Sequence, residues 1–218
     1  MSINQIILTE QNICDIVDYV NSYREKNQAP PLAWDNTIAS FAQSWSYNMA
    51  INNLFQHSGS RLYGENIGYF NGYGTDMMEL IKLAIDNWYN EIALYNFDNP
   101  GFSDATGHFT CLVWVASTTF GIGISINETT GESYIVLNTY PAGNILGEFQ
   151  LNVLPLVPID SNPEPISVPP QPIITKNKQA ILEQLSSIIN EVEQICNPTN
   201  IIDNINAIIY EIQNSSSF

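Results

Sequence analysis

The chain has 218 residues, 44% hydrophobic and 11% aromatic, with a net charge of −16 from 22 acidic and six basic side chains. That length suits one domain with an appendage, or two small domains, and a core large enough to need no disulfide staples. Six basic residues cannot neutralise a run of phosphates, which argues against nucleic acid and anionic membrane surfaces as partners.

In chain order, the start MSINQIILTEQN has no basic region and only a short apolar run, so it does not read as a signal peptide. Ser2 stands where N-myristoylation needs glycine. No window approaches the roughly 18 apolar residues of a transmembrane helix. An intracellular chain is therefore favoured. The wealth of Asn and Ile suits an A/T-rich genome such as a virus or protist, and a virion component if viral. Residues 10–28 read as a helix, with Thr9 as cap and Ile13, Ile16, Val17, Val20 and Tyr23 on one face. A second helix is expected over 35–52, capped by Asp35, with Ile38, Phe41, Ala42, Trp45 and Met49 inward. GENIGYFNGYG (64–74) reads as a short strand followed by a loop. A third helix is expected over 75–94, with Thr75 as cap. Its stripe of Ile81, Ala84, Trp88 and Tyr95 also carries Glu91. A carboxylate there is costly unless paired, or unless it sits at the edge and reaches water.

DNPGFSDATG (98–107) reads as a turn-rich loop from which Thr106 can cap a short helix bearing His108. FGIGISI (120–126) and SYIVLNTY (133–140) read as a β-hairpin around NETTGE. Residues 154–175 hold seven of the twelve prolines and read as an extended linker. Beyond it, Ile181, Leu185, Ile188, Val192 and Ile195, then Ile201, Ile205, Ile208 and Ile212, mark two short amphipathic helices. These can dock back, pair with each other, or drive homo-oligomerisation through 181–212. Cys14, Cys111 and Cys196 are widely spaced and odd in number, as suits a reducing compartment or a secreted form with at most one bridge.

HExxH, GxSxG, P-loop and GxGxxG motifs are all absent from the sequence. What remains for chemistry is His57, Glu65, Glu91 and His108. Both histidines of the chain are in this set. Two imidazoles and two carboxylates can hold a divalent cation or shuttle a proton if they converge. Each alone is also an ordinary hydrogen-bonded structural residue.

TGHFTCLVW and YIVLNTYPAGN resemble the two signatures of the CAP superfamily of cysteine-rich secretory, antigen 5 and pathogenesis-related 1 proteins. QHS, GENI and WYNE match further motifs of that superfamily in order and spacing. YREKNQAPPL, WYNEIALYNFDNPGFSDATGHFT and NVLP resemble its Golgi-associated plant pathogenesis-related group in particular. The resemblance covers about residues 10–155. It implies an α+β fold, a three-layer α-β-α sandwich over 1–153, followed by the linker (154–175) and a helical tail (176–218). It also implies a cavity in which His57 and His108 are metal ligands, with Glu65 and Glu91 behind them. Zinc or another divalent metal, weakly bound, is the implied cofactor. Cys111 departs from the family pattern after GHFT and is expected to pack inside. The disulfides of secreted members are missing, and the basic character and N-terminal glycine of the Golgi-associated group are replaced.

Three functions remain open. The first is a non-enzymatic binding module with no catalytic residue, holding a metal and a small-molecule, lipid or protein ligand, with Tyr69, Phe70 and Tyr73 as a ligand loop or as plain surface packing. The second is a metal-dependent hydrolase with Glu65 or Glu91 as general base. The third is an assembly protein that oligomerises through the tail.

Overall fold

The computed structural model describes residues 3–157 and, beyond them, positions 181, 185, 205 and 208–210, which are helical. The chain divides into two compact units, Met1–Val157 and Pro158–Phe218. Most of the linker and tail read from the sequence lie outside the described residues. The first unit continues to Val157 because its last residues are tied to the end of the first helix. Asn27 donates to the Leu154 carbonyl, Gln28 to that of Pro155, and the Val157 amide to that of Lys26.

The elements are β1 (Ile3–Gln5), α1 (Glu10–Lys26), β2 (Ala33–Trp34), α2 (Asn36–Asn52), β3 (Gly64–Asn71), α3 (Met77–Asn90), a 3-10 turn (Glu91–Leu94), α4 (Gly107–Leu112), β4 (Thr119–Asn127), β5 (Glu132–Tyr140) and α5 (Phe149–Asn152). β4, β5 and β3 form an antiparallel series, with β4 and β5 paired from Thr119↔Tyr140 to Asn127↔Glu132. β5 takes one edge of β4 along its whole length. β1 and β2 therefore share the other edge, β1 antiparallel at Ser125–Asn127 and β2 parallel at Thr119 and Phe120.

Alternation along β4 splits the sheet into two faces. Gly121, Gly123 and Ser125 meet α2. The closeness requires glycine: a Cβ on Gly121 would lie 2.1 Å from the Ala39 nitrogen, and one on Gly123 2.2 Å from that of Gln43. Gln43 then bonds both the N–H and the C=O of Ile124, fastening α2 to the strand. Phe120, Ile122, Ile124 and Ile126 face the opposite way and join Ile16, Val20, Leu80, Ile81 and Ile85 in the larger core cluster. Helices thus cover both faces of a mainly antiparallel sheet, an α+β arrangement.

Thr9 and Asn12 close a capping box on α1, and Asp35 caps α2 through the amides of Thr37 and Ile38. The start of α3 corrects the sequence reading. Asp76 rather than Thr75 caps it, accepting from the Met78 and Glu79 amides, because the helix begins two residues later at Met77. GENIGYFNGYG is a strand followed by a loop, as read, but β3 is longer than expected: β5 offers it a partner at every position from Gly64 to Asn71, and the loop starts only at Gly72.

Arg24 of α1 is fully buried. Its guanidinium donates to the carbonyls of Pro30, Leu112, Trp114 and Ser117. Burial pushes its pKa down to about 10, and carbonyl dipoles satisfy the donors of a charge that has left water. The consequence for the site is direct: Arg24 gathers the chain leaving α4, the helix that carries His108.

Candidate functional site: two imidazole–carboxylate pairs

The four candidate residues are brought together in pairs. The Nδ1 of His57, in the loop after α2, lies 2.8 Å from Glu65 Oε1, near the start of β3. The Ser58 amide donates to that same oxygen at 2.8 Å, and Asn138 of β5 donates to Oε2 at 3.3 Å. Asn138 can do so because it is the register partner of Glu65. Burial pushes the Glu65 carboxyl up, but the hydrogen bonds from His57, Ser58 and Asn138 together outweigh it and hold the group below its ordinary value. The bond to Glu65 raises the His57 pKa, against a smaller opposing effect of burial.

The second pair lies where α3 meets α4. The last turn of α3 tightens into the 3-10 turn at Glu91, whose carboxylate stays largely covered. Glu91 Oε1 lies 2.6 Å from His108 Nδ1. Its Oε2 accepts the backbone N–H groups of His108 and Phe109 at 2.9 and 3.1 Å. Glu91 therefore caps α4 from a distance. This corrects the expectation that Thr106 does so: the Thr106 side chain makes no cap bond and its hydroxyl points to the Ser103 carbonyl. The imidazole of His108 stacks on Trp88, with centroids 6.2 Å apart and planes at 26°. Asn144, in the PAGN turn, bonds both Gly107 and Thr110 and holds α4 from its other side.

Adjacent residues of β3 tie the two pairs to one strand. Glu65 serves the first, while the fully buried Asn66 donates to the His108 carbonyl at 2.9 Å. Asn66, Asn138, Ser58 and Trp88 are parts of the site that sequence reasoning missed. The available signal was their place in the motifs themselves: Ser58 lies in QHS, Asn66 in GENI, Trp88 in WYNE and Asn138 in YIVLNTYPAGN. The side-chain oxygens of Asn66 and Asn138 are buried without a protein partner.

With each Nδ1 turned to a carboxylate, the tautomer that donates from Nδ1 leaves the Nε2 lone pair for a ligand. Each histidine thus keeps one ring nitrogen that could serve as a ligand. Among the described residues no group of three or more His, Cys, Asp or Glu is arranged around one ion, so the three- or four-residue cages of catalytic and structural zinc do not apply.

Cys111 is buried, and burial pushes its thiol up to about 11. Tyr69 and Phe70 lie on β3 and not in a loop, and so point to opposite faces. Phe70 enters the core. Tyr69 is exposed, donating its hydroxyl to Glu132. Tyr73 is exposed beyond the strand, edge-on to Phe70 at 5.6 Å.

Residues 17–139 match the profile of the cysteine-rich secretory protein (CAP) family. The chain belongs to the CAP family. Among its CAP relatives, human Golgi-associated plant pathogenesis-related protein 1 is 38% identical over 140 residues, 62% of this chain and 87% of that protein. Yeast (Saccharomyces cerevisiae) Protein PRY2 is 39% identical over 125 residues, 57% of this chain but only 35% of PRY2. Two solved structures share the CAP fold. BmVAL-1 superposes with a TM-score of 0.57 at 23% identity, covering 69% of this chain and 84% of its own. NaASP2, crystallised with Zn2+, does so with a TM-score of 0.55 at 20% identity, covering 69% and 88%.

Proposed function

We propose that this CAP domain is a non-enzymatic binding module that holds a divalent metal ion between His57 and His108. The observation that carries the reading is the orientation of both imidazoles, each with Nδ1 held by a glutamate at 2.8 and 2.6 Å. A carboxylate behind a ligating histidine fixes its tautomer and raises its basicity. A bound ion would supply a positive charge with coordination positions open to water or to a ligand. With two protein ligands its affinity is weak and falls as the imidazoles protonate.

A binding role fits better than hydrolysis because both carboxylates are already engaged. Each accepts three hydrogen bonds, Glu65 from His57, Ser58 and Asn138, and Glu91 from His108 Nδ1 and two backbone amides. A general base must turn a lone pair to a water within hydrogen-bond reach, and both carboxylates turn most of theirs to these donors. The buried Cys111 is no alternative nucleophile.

Calorimetric titration with Zn2+ tests the reading. Binding is expected near pH 7, lost near pH 5 and lost in the His57→Ala/His108→Ala variant. Glu65→Ala should weaken it by about 10–100-fold, as outer partners of zinc ligands do. Absence of binding near pH 7, or undiminished binding in the double histidine variant, would overturn it.

A further inference from the structure

β4 offers its outer edge to two short strands, and these leave a gap between them. β2 ends its pairing at Phe120, whose carbonyl accepts the Asp35 amide. β1 covers Ser125–Asn127, and just beyond it the Ile6 amide reaches the Ile124 carbonyl. Backbone groups along a strand point alternately to its two neighbours. Gly121 and Gly123 therefore turn theirs to β5, while Phe120, Ile122 and Ile124 turn theirs outward. At Ile124 a side chain completes the ladder: the Gln43 amide donates to the carbonyl and accepts from the N–H, both at 3.0 Å. At Ile122 no group among the described residues plays this part, although the residue is 2% exposed. A buried N–H and C=O need partners. A cavity of about 450 Å³ lies in the gap, bounded by Ile6, Ile7 and Leu8 after β1, by Trp34 of β2, and by Ala39 of α2, with Ile122 in its wall.

No residue of the lining is charged. Its polar side chains are largely committed: Trp34 Nε1 donates to Asn36 Oδ1, the Ser40 hydroxyl to the Asn36 carbonyl, and Gln43 serves Ile124. Asn36 keeps its NH2 as a further donor at the exposed rim. The unpaired N–H and C=O of Ile122 then decide what fits. A carboxylate would meet the N–H but set its other oxygen against the carbonyl. An ammonium would meet the carbonyl but set a donor against the N–H. A neutral amide presents an acceptor and a donor together, as Gln43 does two residues along the strand. The uncovered edge, from Gly121 to Gly123, is about 10 Å of strand and admits about three residues. A residue opposite Ile122 places its side chain on the same face as Ile122, where Ile6, Leu8 and Trp34 pack against the larger core. That face takes a large aliphatic side chain, while the residues on either side of it turn toward Ala39 and Ser40. We infer that the gap in the β4 edge is a docking site for an extended, uncharged peptide segment of a partner protein. The segment adds one bridge at Ile122 and lays an aliphatic side chain beside Leu8 and Trp34, a short form of β-strand addition.

The test is a titration, followed by NMR, with the capped tripeptide acetyl-Ala-Leu-Ala-amide. In the free protein the Ile122 amide should exchange with solvent at least about tenfold faster than that of Gly123, which the ladder with β5 protects. The tripeptide should slow this exchange and shift the Ile122 resonance. A tripeptide N-methylated at its leucine and at the alanine that follows lacks both nitrogens able to face the Ile122 carbonyl, in an antiparallel or a parallel run. It should bind at least about fivefold more weakly. Aspartate in place of the leucine should abolish binding. Ala39→Leu fills the cavity at a helix position where leucine is nearly as favourable as alanine, and should also abolish it. Ile7→Asp, at a residue 89% exposed, puts a charge on the wall without entering the core and should weaken binding about threefold or more. His57→Ala/His108→Ala should leave it intact, which separates this site from the imidazole pairs. An Ile122 amide as protected as that of Gly123 in the free protein, no binding of the tripeptide, equal binding of its N-methylated form, or indifference to both Ala39→Leu and Ile7→Asp would overturn the inference.

Discussion

The His57–Glu65 and His108–Glu91 pairs have the same chemistry and similar hydrogen-bond lengths, but the fold supports them in opposite ways. In the first, a nearly buried carboxylate (8% exposed) meets a largely exposed imidazole (58%); in the second, both partners are partly covered (20% and 32%). Glu65 gathers its donors from a loop and a neighbouring strand, and no element of secondary structure depends on it. Glu91 spends one oxygen on its histidine and the other on the first turn of α4. One pair is set upon a finished scaffold. The other is part of how the scaffold is finished. Two sites of equal chemistry can therefore differ in what their loss costs.

The largest break in this symmetry should come from Glu91→Ala. It strips an acceptor from two backbone amides of α4 and from the imidazole at once. We expect a loss of roughly 2–4 kcal/mol in urea unfolding, from charged hydrogen bonds and a helix cap together. Amide exchange should quicken at His108–Leu112 before the rest of the domain opens. Protection of α4 equal to that of the parent protein would show that Arg24 and Asn144 hold this helix without Glu91.

Glu65→Gln should cost less, roughly 1–2 kcal/mol. The amide oxygen can still accept from Ser58, but its NH2 then confronts the donor of Asn138 or of His57. Exchange protection of α4 should not change, because the hydrogen bond from β3 to that helix comes from Asn66 and not from Glu65. A loss as large as that of Glu91→Ala, or melting of α4, would erase the distinction between the two pairs.

The same contrast explains what could be read from the chain. α1 and α2 were legible because their caps, Thr9 and Asp35, act within three residues of themselves. The hairpin of β4 and β5 was legible from its two β-rich runs and the turn between them. β1 and β2 were not. They are three and two residues long and exist only because β4 offers an edge. β3 reads as half a loop because Gly64 and Gly68 have poor strand propensity, yet pairing with β5 overrides it. The motifs pointed to His57, Glu65, Glu91 and His108, but the grouping into pairs depends on contacts 8 and 17 residues apart. The capping of α4 by Glu91 is equally remote, so a local search settles on Thr106. Asn66 and Asn138 act only through strand register, which no short window contains.

The smallest expected effect is the pH dependence of the exposed pair. The His57 pKa is raised above its ordinary 6.5, so its contribution to stability is complete below that value and is lost as pH rises through the raised one. The Glu65 pKa is lowered below its ordinary 4.5, so its contribution is complete above that value and is lost as pH falls through the lowered one. The coupling between them should therefore peak between about pH 4.5 and 6.5 and decline on both sides. Solvent screening at the exposed imidazole keeps it below about 1 kcal/mol. A double-mutant cycle of His57→Ala and Glu65→Gln, run by urea unfolding across this range in the absence of metal, measures it directly. A coupling that stays level from acid to alkaline pH would mean that the Glu65 carboxylate is held by Ser58 and Asn138 alone, with His57 resting against it as a neutral ring.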